Sequence, residues 1–359
     1  MAKRVLQIVT GLSGGGVGAV IMNYYRHMDD SYIFDFVVNR KVNGFFEEEI
    51  ERRGGIIYEV PPLQYGKYNY FEQLIKVINK NRDSILHCNM GEKSFFFLFF
   101  GWIFGIKKRI VHIHSSIRPE GKFEKILRII LTKLCLIFAT DYYSCGEEAA
   151  KWFYGKKTKK VVVLKNAIDL SQYEFSNELR EKHRKRLDID DKFVIGNVGR
   201  LSYPKNHTFM LKIFFELQKI IPEAILVLAG TGELETAIKK EILELDIEHK
   251  VYMLGLCDYV TELLNSFDLF ILPSRSEGVP VAAIEALANG IPTVCSSAVT
   301  KEINVANNIE YISLNNTPKE WAQFIANMSH KRFSITDELI EGGYSIDIEA
   351  KKLTTLYNL

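Results

Sequence analysis

Apolar runs of about five residues alternate with helix-patterned segments from one end of this chain to the other, and that alternation limits it to one fold class. In the first half the strand candidates are Arg4–Thr10, Phe34–Val38, Ile56–Val60, Ser84–His87, Arg109–His114, Asp141–Cys145 and Val161–Leu164. Helical patterns lie between them near 17–29, 44–53, 69–81, 92–105, 121–138 and 146–154. The strands are apolar almost throughout rather than at every second position, as both faces of a covered parallel sheet require. The pattern fades across 165–191, which is charged and rich in turn formers, and then restarts at Phe193–Val198. Strands follow at Ala224–Ala229, Val251–Leu254, Leu269–Leu272, Thr293–Ser296 and Tyr311–Leu314, with helices near 205–220, 232–245, 258–266, 280–289 and 317–328 and a final helix over 345–359. The prediction is two doubly wound α/β domains, 1–170 and 171–344, with the terminal helix packing back onto the first.

The 359 residues suit two domains, and 47% apolar with 25% charged residues is an ordinary globular balance. A net charge of +2 gives no global pull on nucleic acid, so any electrostatic function is local. Five scattered cysteines without a CxxC pair argue against a disulfide framework and a structural zinc site, which fits a reducing cytoplasm. The first apolar run is too short for a signal peptide. Ser94–Ile106 (SFFFLFFGWIFGI) is too short to cross a bilayer and reads as a buried helix.

Ligands of open α/β sheets bind beyond the carboxyl ends of the strands, so the loops there are where chemistry is expected. Gly11–Gly18 (GLSGGGVG) follows the first strand and precedes a helix, an arrangement that can hold an anion or simply make a tight turn. It is not a P-loop, since no GK[ST] follows, and Ala19 stands where a dinucleotide fingerprint has its last glycine. The acid that an NAD-dependent oxidoreductase needs after its second strand is also missing, because that strand ends Val37-Val38-Asn39. After Phe193–Val198 come Arg200 and Lys205, two cations before a helix that Pro204 can start, an arrangement suited to a diphosphate or to two solvated surface charges. After Leu269–Leu272, Glu277 lies in a loop and Glu285 on the small, apolar helix VAAIEALA, where a carboxylate needs a partner such as a sugar or ribose hydroxyl pair.

Residues 277–285 resemble the E-x7-E motif of the retaining glycosyltransferase family 4, whose members adopt the GT-B fold, two facing Rossmann-like domains with the active site in the interdomain cleft. The resemblance runs through GGGVGAVIMNYYRHMD, VHIHSS, YYSCGEEAAKWFYG, LKNAIDLSQY, IGNVGRLSYPKNH, LVLAGTGELE and EGVPVAAIEALANGIPTV, and is greatest to bacterial exopolysaccharide and capsule enzymes. It implies that Arg200 and Lys205 grip the donor diphosphate, Glu285 the ribose and Glu277 the donor sugar. Backbone groups of Gly278, Val279 and Pro280 would lie beside sugar and phosphate, Gly230 to Glu233 beside the base, and Gly15 and Gly16 beside the diphosphate or sugar. His114 would contact the reacting sugar, with His112 as its competitor. His87-Cys88-Asn89-Met90 stands where relatives often carry a second histidine.

The implied reaction needs no metal and no cofactor besides a nucleotide-sugar donor, UDP before GDP, and an acceptor saccharide, expected to be lipid-linked at the inner face of the plasma membrane. Lys122, Lys125, Arg128 and Lys133 beside a large apolar face on 121–138 fit a peripheral membrane helix or an ordinary domain helix with a basic edge. A nucleotide-sugar 2-epimerase of the same fold and a catalytically silent partner subunit are the competing readings.

Overall fold

The computed structural model describes residues 2–12, 16–40, 46–114 and 121–359, leaving out the side chains of 122, 123, 156 and 157. The chain divides into two compact units, Met1–Ala167 with Ile346–Leu359, and Ile168–Ser345.

The first unit runs β1 (Lys3–Ile8), α1 (Gly16–His27), β2 (Tyr32–Val38), α2 (Glu47–Arg52), β3 (Ile57–Glu59), α3 (Lys67–Lys80), β4 (Ile85–Cys88), α4 (Phe95–Ile103), β5 (Arg109–Ile113), α5 (Lys122–Phe138), β6 (Asp141–Ser144), α6 (Glu147–Tyr154) and β7 (Val162–Val163). All its strand pairs are parallel, in the order β3-β2-β1-β4-β5-β6-β7. The second unit runs α7 (Asn177–Leu187), β8 (Phe193–Val198), α8 (His207–Leu217), β9 (Ala224–Ala229), α9 (Glu235–Glu244), β10 (Val251–Gly255), α10 (Val260–Leu263), β11 (Leu269–Leu272), α11 (Val281–Ala288), β12 (Thr293–Ser296), β13 (Ile309–Ile312), α12 (Pro318–Asn327) and α13 (Thr336–Glu341). Its order, β10-β9-β8-β11-β12-β13, is again parallel throughout. The terminal helix α14 (Ile346–Asn358) belongs to the first unit and packs on α1.

In both sheets the winding reverses beside the first strand of the unit, between β1 and β4 and between β8 and β11. Crossover helices leave these neighbours in opposite directions, so a crevice opens between their carboxyl ends. Why the central strands lack alternation is plain in their burial: Ala224–Ala229 and Leu269–Leu272 are buried at every position, sandwiched between helices. Trp321 and Phe214 fill the core of the second unit, where each fully buried large side chain contributes about 1.5–3 kcal/mol. Gly196 lies on β8 because a Cβ there would meet the Phe267 ring at 1.9 Å.

Three expectations change. The charged stretch 165–191, where the sequence pattern fades at the domain junction, contains a helix that the pattern did not place, α7, capped by Ser176 Oγ, which accepts from Leu179 N. Arg180 and Arg184 of that helix both pair with Asp268 ahead of β11. It docks through charge, and its buried residues are His183 and Arg184 instead of an apolar stripe. The aromatic helix α4 is shorter than its apolar run and only partly buried. Phe97, Leu98 and Gly101 face inward, while Trp102 and Ile103 are exposed. Its other rings pack on neighbours, Phe96 on Tyr70 and Phe71, and Phe95 and Phe99 on Phe138. The last strand lies two residues earlier than the sequence pattern placed it, at Ile309–Ile312.

Among the described residues, no helix is long and apolar enough to cross a membrane.

Candidate functional site

The crevice between β8 and β11 gathers most of the residues that the sequence singled out. Beyond β8, Gly199 adopts φ +157°, and the chain turns through Arg200 and Leu201 into a short 3-10 turn at Tyr203–Lys205. Asn206 then takes a left-handed conformation, φ 59°, and opens α8. Its side chain donates to the Pro273 carbonyl beyond β11, at 3.0 Å, and Arg275 N donates to the Pro204 carbonyl at 2.7 Å. The loops after β8 and β11 are therefore tied to each other by main chain as well as side chain.

Lys205 Nζ lies 2.7 Å from Glu277 Oε1, and Ser274 Oγ donates to the same carboxylate at 2.7 Å. Both charges are mostly covered, with the Lys205 and Glu277 side chains 18% and 12% exposed. An ion pair taken this far from water gains strength from the lower dielectric and has to retain its partners. Glu285, the second glutamate of the E-x7-E pair, sits half-buried on α11 and accepts from the Tyr173 hydroxyl at 2.9 Å. Burial raises its pKa, while the Tyr173 hydrogen bond and the charge of Lys205 pull the other way. Pro280 is the N-cap of α11, so the helix begins with its free N–H groups just after the Glu277 loop. Gly278 lies in that loop, and Val279 and Pro280 are buried there.

Arg200 is placed differently. Its Nε contacts Glu233 Oε2 at 3.0 Å, with both side chains more than half exposed. Such a pair contributes little, about 0–1 kcal/mol, so Arg200 is cheaply redirected toward a stronger anion. Glu233 follows the tight loop after β9. There a Cβ on Gly230 (φ +140°) would lie 2.0 Å from the Gly199 carbonyl oxygen, and one on Gly232 2.3 Å from that of Leu201. These glycines let two loop backbones touch, bridged by Gly199 N to Ala229 O and Leu201 N to Thr231 O. Arg200, Lys205, Glu233, Glu277 and Glu285 thus all stand beyond the carboxyl edge of one sheet.

The first unit carries a second polar group at its own reversal. Gln7 of β1 and His87 of β4 are register partners, and His112 lies on the next strand, β5. His114 Nε2 is 2.9 Å from Asn89 Oδ1. His87 Nδ1 is 2.6 Å from the Tyr357 hydroxyl of α14, and His87 Nε2 is 3.1 Å from His112 Nδ1. His112 is the more buried of the two candidate histidines. Burial holds His87 down to about 3 and His114 down to about 4, and pushes His112 well below its ordinary range as well. All three are neutral at physiological pH. Gly16 opens α1, where an added Cβ would meet nothing within 4 Å among the described residues, and Gly15 lies outside them.

Sequence reasoning passed over Tyr173, Ser274, Asn206, Gln7 and Tyr357. Tyr173 stands inside LKNAIDLSQY, one of the segments that carried the resemblance, but no spacing links it to Glu285. No group of three or more His, Cys, Asp or Glu side chains among the described residues could hold a metal ion.

Residues 179–345, which lie in the second unit, match the model of the glycosyl transferases group 1 family. EpsF of Bacillus subtilis (strain 168), named as a glycosyltransferase, is 29% identical over 371 residues, covering 99% of this chain and 97% of that one. The UDP-Gal:alpha-D-GlcNAc-diphosphoundecaprenol alpha-1,3-galactosyltransferase of Escherichia coli is 26% identical over 234 residues, 62% of this chain and 60% of its own. Among solved structures, Anabaena HepE in complex with UDP and glucose superposes with a TM-score of 0.83 over 100% of both chains at 17% identity, which establishes the shared GT-B fold.

Proposed function

We propose that this chain is a retaining hexosyltransferase of family 4. It moves a hexosyl or N-acetylhexosaminyl group from a UDP-sugar to a lipid-linked saccharide during the building of a cell-surface polysaccharide. The observation that carries the reading is the arrangement beyond β8 and β11: a Lys205–Glu277 ion pair, the half-buried Glu285 held by Tyr173, and the N-terminus of α11. Lys205 and Arg200 supply positive charge for a leaving diphosphate. In this reading Glu285 and Glu277 supply acceptors for ribose and sugar hydroxyls, and Gly230 and Glu233 flank the base. Two chemically comparable points support the donor and the acceptor. HepE is described with UDP and glucose, and the E. coli relative is named for a UDP-Gal donor and a diphosphoundecaprenol-linked acceptor.

In this mechanism the bond from the anomeric carbon to the phosphate oxygen breaks while the bond to the acceptor oxygen forms on the same face. The acceptor proton passes to the leaving phosphate oxygen, so no side-chain nucleophile is required. The protein acts by position and by stabilising charge on the leaving group, in the place of a metal ion or cofactor. His114 contacts the sugar in this reading, with Gly15 and Gly16 near the donor.

Peripheral contact with an anionic membrane at the inner face of the cell envelope belongs to the same proposal. A groove of about 560 Å³ runs between α5 and α6, walled by Ile129, Leu136, Trp152 and Phe153 and edged by Lys125 and Lys133. Ile126, Ile129, Ile130 and Ile137 are exposed along one stripe of α5 with Lys133 among them. Arg128 is already engaged, lying over the Trp152 ring and paired with Glu92.

The direct test is transfer from UDP-sugars to an undecaprenyl-diphosphate-linked saccharide in anionic vesicles, with product linkage read by NMR. An α-linked product from an α-linked donor is expected, and a β-linked product contradicts retention. Flotation of the full chain with the same vesicles, unchanged by K125E together with K133E, would remove the membrane part alone.

A further inference from the structure

Two neighbouring faces of α5 differ in shape. Ile126, Ile130 and Ile137 stand exposed on the outward face, which a flat bilayer surface can meet. Lys125, Ile129, Thr132 and Leu136 recur at the i, i+4, i+7 and i+11 positions of the other face and line the groove against Trp152 and Phe153 of α6. That row is about 16 Å long at 1.5 Å per residue. A volume of about 560 Å³ places the groove among small-molecule sites, which hold about 300–1,000 Å³. A bilayer surface meets the convex face and leaves such a slot to a single extended chain.

The lining decides what kind of chain fits. The Tyr154 hydroxyl is bound to the Val111 and Tyr143 carbonyls, at 2.8 Å and 2.6 Å, so Tyr154 offers the groove its ring. The Arg128 guanidinium lies 4.2 Å over the Trp152 ring and pairs with Glu92 at 3.2 Å. Thr132, Lys125 and Lys133 are the other polar side chains of the lining. A saccharide or a peptide needs hydrogen-bond partners along its whole length and meets too few of them here. An apolar chain that ends in an anion suits both parts of the lining, its hydrocarbon on Ile129, Leu136, Trp152 and Phe153 and its charge on the lysines.

The groove also has a direction. β5 and β6 are parallel, so the crossover helix α5 runs back from their carboxyl edge to the opposite edge. Lys125 stands in the first turn of α5 and Leu136 in its last. An anion at Lys125 therefore lies toward the edge where the β1–β4 crevice opens, and its hydrocarbon runs away from that edge. A bilayer phospholipid brings two acyl chains with one phosphate. The acceptor lipid of the proposed reaction, a polyprenyl diphosphate, brings one chain and a diphosphate.

We infer that the groove between α5 and α6 binds the first isoprene units of a polyprenyl diphosphate, with the diphosphate at Lys125 and the chain along Ile129, Thr132 and Leu136. The inference rests on the glycosyl-transfer reading and deepens it, because the acceptor lipid is held as a ligand of the first unit, apart from any contact of the outward face with a bilayer.

The test is calorimetry of the full chain with farnesyl diphosphate, a soluble short polyprenyl diphosphate, with UDP present to occupy the donor site. Saturable binding is expected, with inorganic diphosphate weaker by about tenfold or more and soluble dihexanoylphosphatidylglycerol unable to compete. L136W and I129W fill the groove from two positions, and each is expected to weaken binding about tenfold. Melting curves show whether either variant has failed to fold, in which case the other decides. In transfer assays the wild-type KM is expected to be about tenfold lower for a polyprenyl-diphosphate-linked saccharide than for the same saccharide without its lipid, and L136W to erase that preference. No binding of farnesyl diphosphate, binding that both variants retain, or displacement by the two-chain lipid overturns the groove as the acceptor-lipid site. A chain that binds farnesyl diphosphate in the groove yet releases UDP from no UDP-sugar removes the glycosyl-transfer reading and leaves the polyprenyl diphosphate site standing.

Discussion

In the proposed donor site Lys205 is the residue to test first, because a single amine would serve two ends. At rest its ammonium pairs with Glu277 at 2.7 Å, mostly out of water. A diphosphate would add a second, stronger anion, and the positions of Arg200 and Lys205 after β8 allow both cations to reach it. K205M keeps the length of the side chain and removes the charge. Turnover of a UDP-sugar is predicted to fall by about 10²–10³, the range for loss of one preorganised charge-stabilising group. The check is steady-state kinetics beside a melting curve, which separates lost chemistry from lost fold. Tyr173 makes a finer prediction. Y173F removes a hydrogen bond to Glu285, so burial acts on that carboxyl with less opposition and its pKa rises further. UDP affinity measured by calorimetry is predicted to weaken about tenfold, the effect of one hydrogen bond to a charged group. An unchanged Kd would remove Glu285 from the ribose contact.

Among the elements, α7 is the instructive one. Its anchor is Asp268, which receives Arg180 and Arg184 and also accepts from Val194 N at the start of β8 at 2.8 Å. D268A leaves two guanidinium groups facing each other without their anion. The second unit is predicted to lose about 3 kcal/mol by urea denaturation, as when one partner of a buried pair is removed. A loss under 1 kcal/mol would mean that α7 is held by something else. This helix was also the one that the sequence concealed. Strands and most helices were legible because covered parallel strands must be apolar and crossover helices must carry an apolar stripe. Residues 177–187 carry neither, and their partner lies far along the chain. The Glu277 to Glu285 spacing was legible for the opposite reason, since one loop and one helical turn contain it. The pairing of Lys205 with Glu277, the bond from Tyr173 to Glu285, and the link from Tyr357 to His87 join distant positions, and no local period records them. The exposed side of α4 was hidden because an apolar run looks the same whether one or both faces are covered.

At the scale of the whole molecule, the buried histidines couple folding to pH. The ordinary histidine pKa is about 6.5, and His87 and His114 are held at about 3 and about 4 in the folded chain. Below pH 6.5 the unfolded chain takes up protons that the folded chain refuses, so these groups contribute stability that is complete above pH 6.5. That stability is lost as pH falls toward their folded values. Melting temperature is predicted to hold between pH 7 and 8 and to decline from about pH 6.5 downward, before the carboxylates titrate. A flat profile from pH 7.5 to 5 would contradict it.

Donor hydrolysis by the purified chain tests the central claim most directly, with UDP- and GDP-sugars screened in turn, each with and without EDTA. The account predicts slow release of UDP from one UDP-sugar at a rate that EDTA leaves unchanged. Binding of no nucleotide sugar would contradict the transferase itself, and loss of activity in EDTA would contradict a leaving diphosphate held by Arg200 and Lys205.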